Sequence, residues 1–568
     1  MSRIIEQRPY TAWQLLKAYW QSEQRGAAYA FFIGVIVLSL CIIALDVMFT
    51  SWYNYFYNAL QEYDKQSTID LLVIFTFLAA VYIIFAVYRF YLQNFLGLRW
   101  RRWLTNQFIN RWMENKSYYY LENFDEHTDN PDQRIQEDIA SLVNSSLSLV
   151  IGILSSIVTF FSFIYILWNL SGPVHISIHG YVWHIHGYLV WVAIIYALIG
   201  TFITFKIGQP LINLNFEQQR REANFRFAAI DLRTHSENIA LYRGEIHQKN
   251  VLKKIFGSVL DNWYAIILRQ KLLMWFTSGY NQISVLVPLV VALPNYFGKV
   301  FKLGGLIQSL TAFQRIQDAL SFLVNSYNAI AEWRAVMRRL LSFLNHVYES
   351  EHNAILQNKF AYDDNSNNKI AASQLVINTP QGDHLLKNIN EEFTHGNHYL
   401  LKGDSGLGKR TFVRVLAGIW PYGSGNISLP EKKNIMYLPQ KSYMPLGTLR
   451  EALLFPDNIS HLSDSALVEL LHECDLPLLT TQLQHVTHWS EHLSPGELQR
   501  IAFVRVLIHK PDWIVLDEST SALDLRHEKQ LYELLKRHLP QCSIISVGHR
   551  PSLEAYHDEI IDLEKYKA

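Results

Sequence analysis

The chain has 568 residues, more than one compact core accommodates, so two or more domains are expected. Lys plus Arg and Asp plus Glu number 50 each, and a net charge of zero offers nothing to a nucleic-acid partner. Charged residues are only 18% of the chain and aromatics 14%, with 15 Trp, a balance that points to lipid.

The first half carries six apolar stretches, at about 28–49, 71–92, 147–170, 187–205, 272–297 and 303–330. A helix crosses a bilayer with about 20 apolar residues. The third and fifth stretches hold no charged residue, which argues against buried helices of a soluble protein. A charged, Trp-containing lead precedes the first stretch without a small-residue cleavage site after it, so no cleavable signal peptide is expected. Asp46 falls near the end of the first span, where it can lie at the membrane interface. LRWRRWLTNQFINRW (98–112) follows the second span and QQRREANFRF (218–227) the fourth. Both are Arg-rich, which keeps them cytoplasmic and places both termini inside.

Between the third and fourth spans, VHISIHGYVWHIHGYLV (174–190) alternates around His179-Gly180 as a β-hairpin would. His175, Ser177 and His179 share one side of it. Such histidines can hold zinc or copper, but no carboxylate lies nearby in sequence, and a plain polar hairpin face is the preferred reading. On the sixth stretch Arg315 and Asp318 are three apart and share a helix face, flanked by Gln314 and Gln317. Charge at that depth points either to a wet translocation cavity, the preferred reading, or to a buried pair that locks helices.

Residues 346–372 are polar, rich in Asn and Asp and without apolar period, which reads as a linker. From 373 to 568, β-branched runs such as HYLLKGD, KNIMYLP, WIVLDE and SIISVGH alternate with helical patterns, as in a parallel α/β sheet. Within it, GDSGLGKRT (403–411) nearly matches the phosphate-loop pattern G-x-x-x-x-G-K-[ST]. Gly403, Asp404, Ser405, Gly406, Gly408, Lys409 and Thr411 would cradle phosphate at a helix N-terminus. The departure is Arg410, which stands where a hydroxyl should meet magnesium. WIVLDE ends a strand in Asp517, placed to hold magnesium, and Glu518, placed to polarise water.

LSPGELQR (493–500) resembles the LSGGQ signature of ATP-binding-cassette (ABC) proteins, with Pro495 and Glu497 as substitutions. Gln440 in YLPQ, SALD (521–524) and His549 in SVGHR match that family's Q-, D- and H-loops, in the family's order. The resemblance implies ATP and Mg2+ as cofactors and a sandwich of two such domains. Ser494 and Gly496 would then serve the γ-phosphate across the dimer. Glu518 would be the general base, His549 the γ-phosphate contact, and Gln440 a sensor that also faces magnesium beside Asp517. The upstream adenine-stacking position, usually aromatic, offers only Thr379 or Pro380.

In the first half, EHTDNPDQRIQEDI (126–139) and FLVNSYNAIAEWRAVMRRL (322–340) resemble the SbmA/BacA-like transporters, which include bacterial peptide and cobalamin importers, and the related peroxisomal fatty-acyl transporters. FYNALQEYD, RWRRWLT, RREANFRF and GIWPYGSGNI support the match. Together these resemblances imply an exporter-like fold: a six-span α-helical membrane domain (1–345), a linker (346–372) and an α/β phosphate-loop domain (373–568). They imply a half-transporter, most simply a homodimer in a bacterial inner membrane with its nucleotide domain cytoplasmic. It would use ATP to move a peptide, a cobalamin-like molecule or another hydrophilic or amphipathic solute. The rivals are a membrane sensor or a secondary transporter whose nucleotide domain binds ATP but hydrolyses it poorly because of Arg410.

Overall fold

The computed structural model describes residues 10–124, 130–171, 173–178, 181–364, 368–430, 435–457 and 462–568. They fall into two compact units, one drawn from 1–111 and 129–345, the other from 112–128 and 346–568.

The first unit is built of long helices. α1 (Ala12–Trp20) starts at Thr11, whose side chain accepts from the Gln14 amide while the Gln14 side chain returns a bond to the Thr11 backbone. α2 (Arg25–Gln61) and α3 (Lys65–Met113) follow. A short α4 (Ser117–Phe124) belongs to the second unit, and α5 (Ile139–Ser171) returns to the first. Strands β1 (Pro173–Ile178) and β2 (Tyr181–His186) pair antiparallel, with His175 opposite His184. The expected turn at His179-Gly180 lies outside the described residues. α6 (Tyr188–Thr234), α7 (Glu245–Phe297), α8 (Leu303–Asn325) and α9 (Tyr327–Gln357) complete the series.

Among the described residues, five helices are long and apolar enough to cross a membrane; they contain the first five expected stretches. The 49 residues of α3 rise about 74 Å at 1.5 Å each, well beyond a hydrocarbon core of about 30 Å. A helix of that length outruns the bilayer. The sixth expected stretch is α8, which ends at Asn325 rather than 330; α9 starts two residues later.

Phe163 and Leu167 of α5, Leu189 and Ala193 of α6, Ala292 of α7 and Phe313 and Ile316 of α8 form one buried core. α2 and α8 approach closely at Gly304, where a Cβ would overlap the backbone of Asn54. The segments singled out at 126–139 and 322–340 meet where described. Asp138 takes Nη1 of Arg134 at 2.8 Å and both Nε and Nη2 of Arg339, at 2.9 and 2.6 Å. Trp333 Nε1 donates to Ser146 Oγ at 2.8 Å.

The second unit holds two sheets. β3 (Asn358–Asp364), β4 (Ile370–Asn378), β5 (His384–Phe393) and β7 (Gly423–Leu429) form a four-stranded sheet in the order β3-β7-β4-β5. β6 (His398–Lys402), β8 (Ile435–Leu438), β9 (Trp513–Asp517), β10 (Ser543–Val547) and β11 (Glu559–Asp562) form a second sheet in the order β11-β6-β10-β9-β8, parallel throughout.

Residues 346–372 depart from the linker reading: α9 runs to Gln357 and β3 pairs with β7. The polar composition concealed this because the buried groups are few. Val347 is buried, the buried Glu351 carboxylate accepts from Asn115 Nδ2 at 2.5 Å, and Phe360 anchors β3.

Candidate nucleotide site

The site lies at the carboxyl ends of the parallel strands, the edge where open α/β sheets place ligands. β6 runs into the loop Gly403–Gly408 and then α10 (Lys409–Leu416). Gly406 (φ 84°) and Gly408 (φ 106°) turn the loop through backbone conformations that side-chain-bearing residues avoid. β8 ends two residues before Gln440, β9 ends at Asp517, and β10 ends two residues before His549. The register sets Leu516 beside Leu438 and Asp517 beside Val547, so the expected residues converge on one edge. Glu518 takes φ 50°, a strained position for a residue with a Cβ, as functional carboxylates often do.

Lys409 is 5% exposed, and its Nζ donates to the carbonyls of Gly403 and Asp404 at 2.5 and 2.8 Å. Burial pushes its pKa down, against the pull of Glu518, Asp404 and Glu564. Arg410 turns inward. Its Nε donates to Asp517 Oδ2 at 3.0 Å and its Nη2 to Gln440 Oε1 at 2.8 Å, and Nη2 lies 3.7 Å from Glu518 Oε2. Gln440 Nε2 donates to Glu518 Oε2 at 2.8 Å, and His549 Nε2 lies 3.6 Å from Glu518 Oε1. One guanidinium thus ties together the carboxylate at the strand end, the Q-loop amide and the candidate base. Burial raises the Asp517 pKa, and the Arg410 charge opposes that.

The resemblance places magnesium among these groups, and their chemistry fits it poorly. Position 410 supplies a donor in place of an oxygen ligand. Asp517 Oδ2 and Gln440 Oε1 already accept from that donor, so of these oxygens only the buried, unpartnered Asp517 Oδ1 stays open to a metal. At an effective dielectric of about 20, a guanidinium and a divalent ion about 4 Å apart repel by roughly 8 kcal/mol before solvent screening. Arg410 is half exposed, so screening reduces that figure strongly, but its sign still weighs against both cations together.

The signature forms the start of α11 (Pro495–His509). Ser494 is its N-cap, Pro495 occupies the first turn, and Glu497 closes the capping box by accepting from the Ser494 amide at 2.8 Å. Both departures from LSGGQ therefore build a well-capped helix start. Gly496 lies so close to Ala522 that a Cβ would come 3.3 Å from its carbonyl oxygen. Gln499 links the region to the rest of the site, donating to Ser521 Oγ and accepting from the Ala522 amide. At the adenine-side position, Thr379 and Asp383 close a turn and Pro380 is exposed. Asp404, Ser405 and Gly406 are exposed and Thr411 is half-buried at the third position of α10.

Arg315 Nη2 donates to Asp46 Oδ1 at 2.8 Å, joining α8 to α2, rather than making its ion pair with Asp318. A cavity of about 610 Å3 in the first unit is lined by apolar groups including Trp13, Trp20, Trp100 and Trp333, and by neither Arg315 nor Asp318.

Sequence reasoning missed α4. The Phe124 ring packs edge-on to Trp420 at 5.5 Å and to Tyr422 at 5.2 Å, and Lys116 Nζ donates to the carbonyls of Ala417 and Gly418. Two signals were available: the aromatic run SYYYLENF after α3, and the aromatic WPY in GIWPYGSGNI.

A phosphate loop, a strand-end carboxylate pair, a Q-loop amide, an H-loop histidine and a capped signature helix on one sheet define an ATP-binding-cassette nucleotide unit. The comparisons agree. Residues 15–297 match the family model for ABC transporter transmembrane region 2, and 386–521 match that for ABC transporter. An ABC transporter ATP-binding protein of Haemophilus influenzae is 34% identical over 97% of this chain and 92% of its own length. The inner membrane ABC transporter ATP-binding protein YddA of Escherichia coli is 32% identical over 97% and 96%. ABC transporter D family member 2, chloroplastic, of Arabidopsis thaliana is 29% identical over 97% and 85%. A bacterial Atm1-family ABC exporter solved with ATP bound shares the fold at a TM-score of 0.70 and 17% identity, over 95% of this chain and 94% of that one. This chain belongs to the ABC transporter family. It is a half-transporter, related to the D family, whose ATPase drives transport across a membrane.

Proposed function

We propose that two copies of this chain form a homodimeric transporter in a bacterial inner membrane, with the nucleotide units on the cytoplasmic side. Its cargo would be a peptide, a cobalamin-like molecule or another hydrophilic or amphipathic solute. What supports the dimer is that one chain carries one transmembrane region and one nucleotide unit, while the ABC resemblance pairs the phosphate loop of one nucleotide unit with the signature of another. A second copy supplies that partner to both. The cargo class rests on the resemblance of 126–139 and 322–340 to the SbmA/BacA-like branch, and the membrane on the likeness to YddA.

In the closed dimer, Glu518 takes a proton from water as its oxygen attacks the γ-phosphorus and the bond to the β-bridging oxygen breaks. Gln440 and His549 hold the Glu518 carboxylate from two sides. Ser494 and Gly496 of the other copy close over the γ-phosphate. The sensor and secondary-carrier rivals are not favoured, since relatives matched along nearly the whole chain are named as ABC transporter ATP-binding proteins. Proteoliposome uptake tests the proposal with a panel of peptides and cobalamin, with and without ATP. ATP-dependent accumulation of one class is expected; uptake indifferent to ATP and abolished by a protonophore would overturn it.

A further inference from the structure

The expected metal ligands and the residue at 410 are in conflict, and the geometry resolves the conflict in favour of arginine. We infer that the Arg410 guanidinium is the site's resident cation, so that this chain binds uncomplexed ATP and needs no divalent metal to do so. The inference rests on the reading of the site as an ATP site and deepens it.

Three observations carry it. Arg410 reaches inward from the first turn of α10 to the donors that magnesium would require, Asp517 Oδ2 and Gln440 Oε1, at 3.0 and 2.8 Å. Those two bonds use Nε and Nη2, which fixes the plane of the fork and leaves Nη1 for a phosphate oxygen. Guanidinium matches phosphate geometry, keeps its charge at every working pH and is more weakly hydrated than ammonium. Moreover, Lys409 lies next to it in sequence, so the first turn of one helix contributes two cations beside the backbone N–H groups of the loop.

The arrangement also connects the cation to the base. Gln440 accepts from Arg410 and donates to Glu518, so loading a phosphate on Arg410 pulls on the group that orients the base. A point-charge metal would make that link through coordinated water; here it runs through protein atoms.

The test is ATP binding to the full chain in lipid nanodiscs, measured by equilibrium dialysis of labelled ATP in excess EDTA and again in excess Mg2+. The expected result is a Kd that differs by less than about threefold between the two conditions. Arg410→Ser restores the hydroxyl, and its binding in EDTA should weaken tenfold or more and recover with Mg2+. Arg410→Lys keeps charge without the fork, and should fall between them in EDTA. Mn2+ added with ATP should give a protein-bound paramagnetic signal in Arg410→Ser and not in the native chain. Native binding that needs Mg2+ as strongly as Arg410→Ser would overturn the inference while leaving the ATP site standing. Absence of ATP binding in both conditions would overturn the site reading as well. Should Arg410→Ser fail to fold, the native comparison in EDTA and Mg2+ still decides.

Discussion

Phe124→Ala should detach α4 from the nucleotide unit and so separate hydrolysis from transport. α4 sits in the chain between α3 and α5, whose bulk belongs to the membrane-type unit, yet it packs with the nucleotide unit. Its grip is the edge-on contact of Phe124 with Trp420 and Tyr422, assisted by Lys116 on the carbonyls that end α10. Each edge-on aromatic contact contributes about 0.5–1.5 kcal/mol beyond area burial. Because Phe124 is only half-buried, burial adds about 1 kcal/mol rather than the full value for a core phenylalanine. The sum is about 2–4 kcal/mol, a shift of roughly 30- to 700-fold in the docking equilibrium at 1.4 kcal/mol per decade. The assay pairs ATPase with uptake in the same proteoliposomes. Phe124→Ala should keep ATPase within about threefold and lose most uptake, and Phe124→Tyr, which keeps the ring, should retain both. Uptake unchanged in Phe124→Ala would refute the reasoning.

Glu518→Gln keeps the bonding geometry but loses the base, so turnover should fall at least a hundredfold while ATP stays bound, as single-turnover assays would show. Asp46→Ala and Arg315→Ala each strand a partly buried charge. Each should therefore lower the melting temperature in detergent, with the double variant costing less than the sum of the singles; additive costs would show that the pair does not lock α2 to α8. His557 is held neutral by burial, its pKa pushed from 6.5 to about 4. The unfolded chain therefore binds the extra proton between those values, and stability falls as pH drops from 6.5 to 4, by about 3 kcal/mol in all. Chemical denaturation across that window should show the slope in the native chain and a flatter profile in His557→Gln.

The parts of this chain that were legible in sequence are those where one physical requirement dominates. Lipid demands long apolar runs, so five membrane helices could be read directly. Phosphate demands glycines at a strand-to-helix turn, and magnesium a carboxylate at a strand end, so Gly403, Lys409, Asp517 and Glu518 could be read from the residues themselves, whereas Gln440 and His549 came from the resemblance to the ABC family. What was not legible depended on partners distant in sequence. Asp46 lies 269 residues from Arg315, and nothing local distinguishes that pair from the nearer Asp318. The segment 346–372 hides a helix end and an edge strand because one buried face needs only a few apolar residues. The oddity of Arg410 was visible at once; its direction was not, since inward and outward rotamers are equally compatible with the loop sequence.

In the proposed dimer each ATP site is completed between two copies, the phosphate loop of one meeting the signature of the other. Cysteines placed at Ser405 and Ser494 in a Cys41→Ala, Cys474→Ala, Cys542→Ala background of the Glu518→Gln chain test it most directly. On adding ATP, crosslinking should join two chains, and mixing a Ser405→Cys chain with a Ser494→Cys chain should give the heterologous product. A crosslink that forms equally without ATP, or within a single chain, would contradict the account.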